Sequence, residues 1–202
     1  MQVYLDMDGV ICDFVHPFTQ LSKETGLPIT YSIEGKDHNR DQRLFEVAVK
    51  EYGIFQQLPP MPDMLILKQG LDDLVKQKKI NVEILTSLNS YDDKIARLAI
   101  KQKQKWLDDH GFEYKANFVN EGAMKGAYAK PNSLLIDDSE VPCYSFGNAG
   151  GSFIRHTAAV HTLHELVNGY LNEPEIKDDK IQLIEPTQRE TLVYSSITPK
   201  MR

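Results

Sequence analysis

The sequence predicts an α/β protein built on a doubly wound parallel sheet. Three observations predict it. Three short apolar segments (Val3-Tyr4-Leu5, residues 82–85, and Leu134-Leu135-Ile136) each run into polar or acidic residues, and their near-continuous apolar character suits strands buried on both faces. Helical periodicity lies before the second segment and again between the second and third, the alternation expected of parallel strands joined by crossovers. All three polar clusters fall at strand ends. In such sheets the ligand site forms beyond the carboxyl ends of the strands, so clusters far apart in sequence are expected to meet in space.

The first strand runs into Asp6-Met7-Asp8-Gly9-Val10. Two carboxylates two residues apart diverge from a shared backbone. One can attack phosphorus and bind a divalent cation, and the other can serve the leaving oxygen as an acid. Gly9 permits a sharp turn, and the amides beyond it can face phosphate oxygens. The pattern points to phosphoryl transfer through an aspartyl-phosphate.

Residues 14–62 do not continue the alternation. Residues 41–52 carry Leu44, Phe45, Val47, Ala48 and Tyr52 as the apolar positions of a helix. Leu58-Pro59-Pro60-Met61-Pro62 is stiff and cannot continue one. The stretch reads as a small, mostly helical insertion over the mouth of the site. A helix over 63–79 turns Leu67, Leu71, Leu74 and Val75 inward, with Asp63 as its N-cap and Lys76, Lys78 and Lys79 at the negative end of its dipole.

The second strand ends at Leu85-Thr86-Ser87. A helix over 92–110 sets Ile95, Leu98, Ala99, Gln102, Trp106 and Leu107 along one face. Lys94, Lys101, Lys103 and Lys105 are assigned elsewhere, and Gly111 supplies the stop. The third apolar segment ends at Asp137-Asp138. The polar tail after about residue 172, with scattered proline, reads as an edge element or an extension.

A chain of 202 residues suffices for one domain with an insertion and a substantial core. The net charge of −6 argues against a protein that coats nucleic acid, which needs a basic surface. No apolar run reaches membrane-spanning length. The first strand starts too close to Met1 to leave room for a signal peptide. Cys12 and Cys143 have no metal-ligand spacing and read as buried thiols in a reducing, cytoplasmic setting.

Asp6-x-Asp8-Gly9-Val10, the strand end Leu85-Thr86-Ser87, an upstream lysine, and Ile136-Asp137-Asp138 resemble the four motifs of the haloacid dehalogenase-like (HAD) phosphatase superfamily, in the right order over roughly residues 1 to 140. The resemblance implies a HAD-like Rossmannoid core over 1–13 and 63–172, a small helical cap over 14–62 and a C-terminal extension over 173–202. It also implies roles. Asp6 would be the nucleophile and a metal ligand. Asp8 would be the general acid and then the base, its backbone carbonyl also binding the metal. Thr86 would give its hydroxyl to a phosphate oxygen, with the Ser87 amide nearby.

A lysine would neutralise the meeting anions. Lys125 is the first choice and Lys130 the second, since Lys130 lies near the next strand and precedes Pro131. Asp137 and Asp138 would complete the metal site, one on the metal and the other orienting a water or the lysine. Oxygen-only ligands favour a hard cation, Mg²⁺ by expectation.

Residues 52–62, with an aromatic followed by Leu-Pro-Pro, are similar to the cap exit of 5'(3')-deoxyribonucleotidases, and Lys105-Trp106-Leu107, on the helix after Leu85-Thr86-Ser87, is also similar to that family. Residues 150–156 look like the next strand of such nucleotidases. The resemblance implies hydrolysis of nucleoside monophosphates, with 5'(3')-deoxyribonucleotides as the substrate and no stable nucleic-acid complex; a homodimer is one assembly left open. Another small phosphorylated metabolite, or a nucleic-acid end, is the alternative substrate. A non-catalytic HAD-like binding module is the alternative of another class.

Phe14, Phe18 and Phe45, with Tyr52 and Phe55, are candidates to stack on a base or sugar, though packing of a small cap explains most of them equally well. His16 and His38 are expected at the surface. The spacing of His156, His161 and His164 hints at a metal cluster, but surface positions are the better expectation.

Overall fold

The computed structural model describes residues 1–29 and 42–172. His38, part of the insertion and the extension at 173–202 lie outside the described residues. Five parallel strands form one sheet: β1 (Gln2–Leu5), β2 (Asn81–Ser87), β3 (Ala116–Val119), β4 (Ser133–Asp137) and β5 (Ser152–Arg155), in the order β3-β2-β1-β4-β5. β1 is central, with Leu5 level with Ile84 on one side and Ile136 on the other.

The order reverses beside β1, so the crossovers on either side of it pack on opposite faces. Alternation along each strand records this. Val3, Leu5, Val82, Ile84, Leu134 and Ile136 face one apolar cluster. Tyr4, Leu85 and Leu135 face a second. The first face is covered by α3 (Met64–Lys76), α4 (Asp93–Asp109) and α6 (Ala159–Glu165), which continues as a wider turn over Leu166–Leu171. The second is covered by α5 (Glu140–Asn148) through Phe146, and by the 3-10 segment Gly122–Tyr128 through Tyr128. The sheet is therefore doubly wound. Its two edge strands are short, and β3 is too weakly apolar to stand out from its surroundings in the sequence. No helix among the described residues is long and apolar enough to cross a membrane.

The helix ends have local causes. Asp92 caps α4, accepting from the amides of Lys94 at 2.8 Å and Ile95 at 3.0 Å. Gly111 closes it with φ +70°. α3 stops short of residue 79 because Lys78 adopts φ +57°. Asp63 stands at the first turn of α3 but does not cap it. Its carboxylate accepts from the Ala159 amide at 2.6 Å, at the start of α6.

The insertion contributes α1 (Val15–Thr25), α2 (Arg43–Lys50) and the 3-10 turn Ile54–Gln57. Its entry and exit are stitched together by two backbone bonds, Asp13 amide to Pro59 carbonyl at 2.9 Å and Met61 amide to Ile11 carbonyl at 3.0 Å. α4 holds it from below. The Gln102 amide donates to the Val49 carbonyl at 2.8 Å and accepts from the Phe55 amide at 3.3 Å. The Trp106 indole donates to the Leu58 carbonyl at 2.8 Å.

Candidate active site

A cleft of about 610 Å³ opens at the carboxyl ends of β1, β2 and β4. Asp6, Asp8, Ser87, Asp137 and Asp138 meet there because three strands end side by side. β1 delivers Asp6, only 6% exposed, and β4 delivers Asp137, fully buried. Asp138 follows in the next position. Gly9, at φ +79°, turns the chain so tightly that a Cβ there would lie 2.3 Å from the Asp138 carboxylate. The side chain of Asp138 thus rests against bare backbone.

Lys125, 1% exposed, reaches in from the Gly122–Tyr128 segment. Its Nζ lies 2.8 Å from Asp6 Oδ1 and 2.5 Å from Asp137 Oδ2. Asp137 Oδ1 accepts from the Ser139 amide at 3.0 Å. Lys130 is exposed and not at the cleft; its amide donates to the Ser133 hydroxyl.

Asp6 Oδ1 is buried and ion-paired with the Lys125 ammonium at 2.8 Å. A carboxylate oxygen can accept more than one partner, so it keeps capacity for a further one. Asp6, Asp137 and Asp138 each offer an oxygen within 4.8 Å of the others, and among the described residues they are the group that can hold a metal ion. All the donors are hard oxygens, which suits a hard divalent cation. Electrostatics point the same way. Burial, and then the negative charge of Asp6, push Asp137 up to about 7 and Asp138 up to about 6. Burial opposes the charge on Lys125, but Asp6 and Asp137 outweigh it and hold the ammonium above its ordinary range. Three crowded carboxylates with one cation leave a surplus of negative charge for a metal to offset.

Asp8 lines the cleft beside Asp6. Its Oδ2 accepts from Lys103 Nζ at 2.7 Å, and its Oδ1 faces the Cys12 thiol at 3.6 Å. Burial raises the Asp8 carboxyl, with Lys103 pulling against it. Ser87 lines the cleft. Thr86, behind it, is fully buried, and its hydroxyl oxygen accepts from Lys103 at 2.9 Å.

Lys103 corrects the sequence reading, which placed it away from the buried face of α4. It is 0% exposed, whereas Leu98, expected inward, is 37% exposed. The buried stripe is Ile95, Ala99, Lys103 and Trp106, and a lysine on that stripe was the available signal.

Phe14 and Val15 line one wall of the cleft, and Val141 and Pro142 lie on its lining too. Phe18 and Phe45 do not line it. They are buried in an aromatic cluster with Phe55, Phe18 stacked on Phe14 at 4.8 Å. Tyr52 is exposed outside the cleft. Arg155 stands at the rim, paired with Glu140 and donating to the Asp138 carbonyl.

His16 is exposed and pairs with Asp13 at 2.7 Å. His156 departs from the expected surface position. It is buried and bonded to the Thr162 hydroxyl at 2.9 Å, while His161 and His164 are exposed. Both cysteines are free and buried. Burial pushes the Cys143 thiol up to about 12 and Cys12 well above its ordinary range, so neither is an available thiolate nucleophile.

No protein-family model matches the sequence, and no curated protein matches it. Among solved structures the chain is similar to a hydrolase from Streptococcus pneumoniae TIGR4. The identity is 14%, over 82% of this chain and 97% of that one, with a TM-score of 0.46.

Proposed function

We propose that this protein is a Mg²⁺-dependent phosphatase of the HAD type. It hydrolyses nucleoside monophosphates, in particular 5'(3')-deoxyribonucleotides, to nucleoside and phosphate. One observation carries the reading. A buried carboxylate, Asp6, is paired with Lys125 and clustered with Asp137 and Asp138, with a second carboxylate, Asp8, two residues along the same turn.

Asp6, Asp137 and Asp138 would hold Mg²⁺, together with the backbone carbonyl of Asp8. When bound, the ion supplies positive charge that draws the phosphate dianion to an anionic site. The chain's own groups then account for the chemistry. The Asp6 carboxylate attacks phosphorus, and the bond from phosphorus to the nucleoside oxygen breaks. Asp8, as the carboxylic acid, gives its proton to that oxygen. The resulting Asp8 carboxylate takes a proton from water as the water attacks phosphorus. Phosphate leaves, and Asp6 is restored. Lys125 balances the charge of Asp6 and of the phosphoryl oxygens, and Ser87, which lines the cleft, donates to one of them.

Several features favour a mononucleotide. The cleft volume falls in the range of small-ligand sites. The wall carrying Phe14 and Val15 offers an apolar surface beside the phosphate position, suited to a base or sugar. Residues 14–62 are proposed to act as the cap that sets this preference, over a core of 1–13 and 63–172. A small metabolite substrate, no stable complex with nucleic acid and a cytoplasmic setting belong to the same proposal.

Asp6→Asn tests the mechanism, because it is nearly isosteric and removes the nucleophile. The expected result is a folded protein with no phosphate release, measured across deoxyribonucleotides, ribonucleotides and sugar phosphates. Full activity in purified Asp6→Asn would overturn the mechanism. A clear preference for sugar phosphates would keep the chemistry and overturn the substrate.

A further inference from the structure

We infer that Lys103 is a positioning residue for the Asp8 proton shuttle, an inference that rests on the phosphatase reading above. Lys103 lies in the middle of α4, which otherwise packs apolar side chains on the sheet. A lysine is rarely buried completely unless it is paired. This one is fully buried, and its ammonium has three neighbours. It donates to Asp8 Oδ2 at 2.7 Å and to Thr86 Oγ1 at 2.9 Å, and the Phe55 ring covers it at 4.5 Å from the centroid.

The two bonds restrict what their acceptors can do. Asp8 is anchored through one carboxylate oxygen, so rotation about its side chain is limited and Oδ1 remains to carry the proton. That oxygen has only a long thiol contact, from Cys12 at 3.6 Å. Thr86 accepts from the ammonium through its hydroxyl oxygen, so its own proton must point to a different acceptor. One ammonium thus orients a group from the turn after β1 and a group from β2. Phe55 belongs to the insertion and stacks at 5.5 Å on Phe14, which lines the cleft. The insertion therefore keeps water off the ammonium, which strengthens both bonds.

A residue that only filled space would affect every substrate alike. A residue that aims Asp8 matters most where the leaving oxygen needs a proton. A nucleoside alkoxide needs one and a nitrophenolate does not. The test is single-turnover leaving-group release by wild type and Lys103→Met, saturated with Mg²⁺, from a deoxyribonucleoside monophosphate and from p-nitrophenyl phosphate. The expected result is a loss of about 100-fold on the nucleotide, the scale of general acid catalysis, with a loss under about 5-fold on the nitrophenyl ester and little change in KM.

Lys103→Gln, which keeps a shorter donor, should fall between wild type and Lys103→Met on the nucleotide. It also serves if Lys103→Met proves unfolded by circular dichroism. Crystals of the metal-free variant give a readout independent of turnover: Asp8 should leave its wild-type rotamer. Equal losses on both substrates, no loss on either, or an unmoved Asp8 would overturn the positioning role while leaving the phosphatase intact. An inactive wild type on both substrates would instead overturn the phosphatase reading itself.

Discussion

Lys125 is the point at which most of the site's charge is balanced. It is buried against Asp6 and Asp137, so removing it leaves carboxylates in a poorly solvated place with no counter-charge. Lys125→Met should lower kcat by about 10²–10³-fold, the cost of losing one charge-stabilising donor. In metal-free buffer it should also cost roughly 3–5 kcal/mol in urea unfolding, as breaking a buried pair does. The sequence alone left Lys125 and Lys130 close competitors, since both precede β4 by a few residues. The 3-10 segment Gly122–Tyr128 is what carries Lys125 to the cleft, and its path depends on Gly126 approaching Ser145 with no room for a Cβ. That is a tertiary fact with no local signature. Gly9 was easier to read, because a glycine after two aspartates at a strand end already implies a turn. Gly9→Ala should destabilise the fold by about 1–3 kcal/mol for its positive φ. It should also weaken Mg²⁺ binding measured by calorimetry, because the added methyl displaces Asp138.

Between elements, the junction of α3 and α6 can be tested in the same way. Asp63 serves the start of α6 across the fold, so Asp63→Ala should cost about 0.5–2 kcal/mol, the usual loss for a helix-terminal acceptor. His156 is buried nearby, bonded to Thr162. Burial holds its pKa below the ordinary value of 6.5, with Asp63 pulling weakly the other way. The folded chain therefore resists a proton that the unfolded chain accepts. Above pH 6.5 neither state is protonated there and nothing is lost; as pH falls below 6.5 the unfolded state is favoured. The melting temperature should drop between pH 7.5 and 5.5, and His156→Gln should show a smaller drop over the same range. α4 shows how far periodicity reaches at this scale. Its existence, its span and its Gly111 stop could be read from the sequence, whereas the Asp92 cap was found in the structure. Its rotation could not be, because apolar Leu98 was assigned inward in preference to cationic Lys103. The energetic reason for that lysine lies in Asp8 and Thr86, which α4's own residues do not reveal.

For the molecule as a whole, the three apolar segments gave the centre of the sheet, and the rule about carboxyl ends gave the location of the site. β3, at an edge, stayed hidden because a half-buried four-residue strand need not be strongly apolar. The substrate is least legible, since the aromatic residues of the insertion mostly pack on one another. The three carboxylates that could hold a metal come from the ends of two strands, so the group forms only in the assembled sheet. Chelation should abolish phosphate release, and Mg²⁺ should restore it. At a concentration 100 times its dissociation constant, Mg²⁺ should add about 2.7 kcal/mol to folding stability, seen as a higher melting temperature, whereas undiminished turnover in chelator would exclude the metal. The position of β1 carries one further consequence. The strand nearest the amino end sits at the middle of the sheet, and its partners for Gln2 are Asn81 and Ser133. During synthesis it must wait for most of the described chain to emerge before both flanks can pair. Contacts of such long range make folding slow and leave an unpaired strand exposed meanwhile. Asp6 and Asp137 are brought together only by the pairing of β1 with β4, so a chain in which those strands are unpaired lacks the carboxylate cluster.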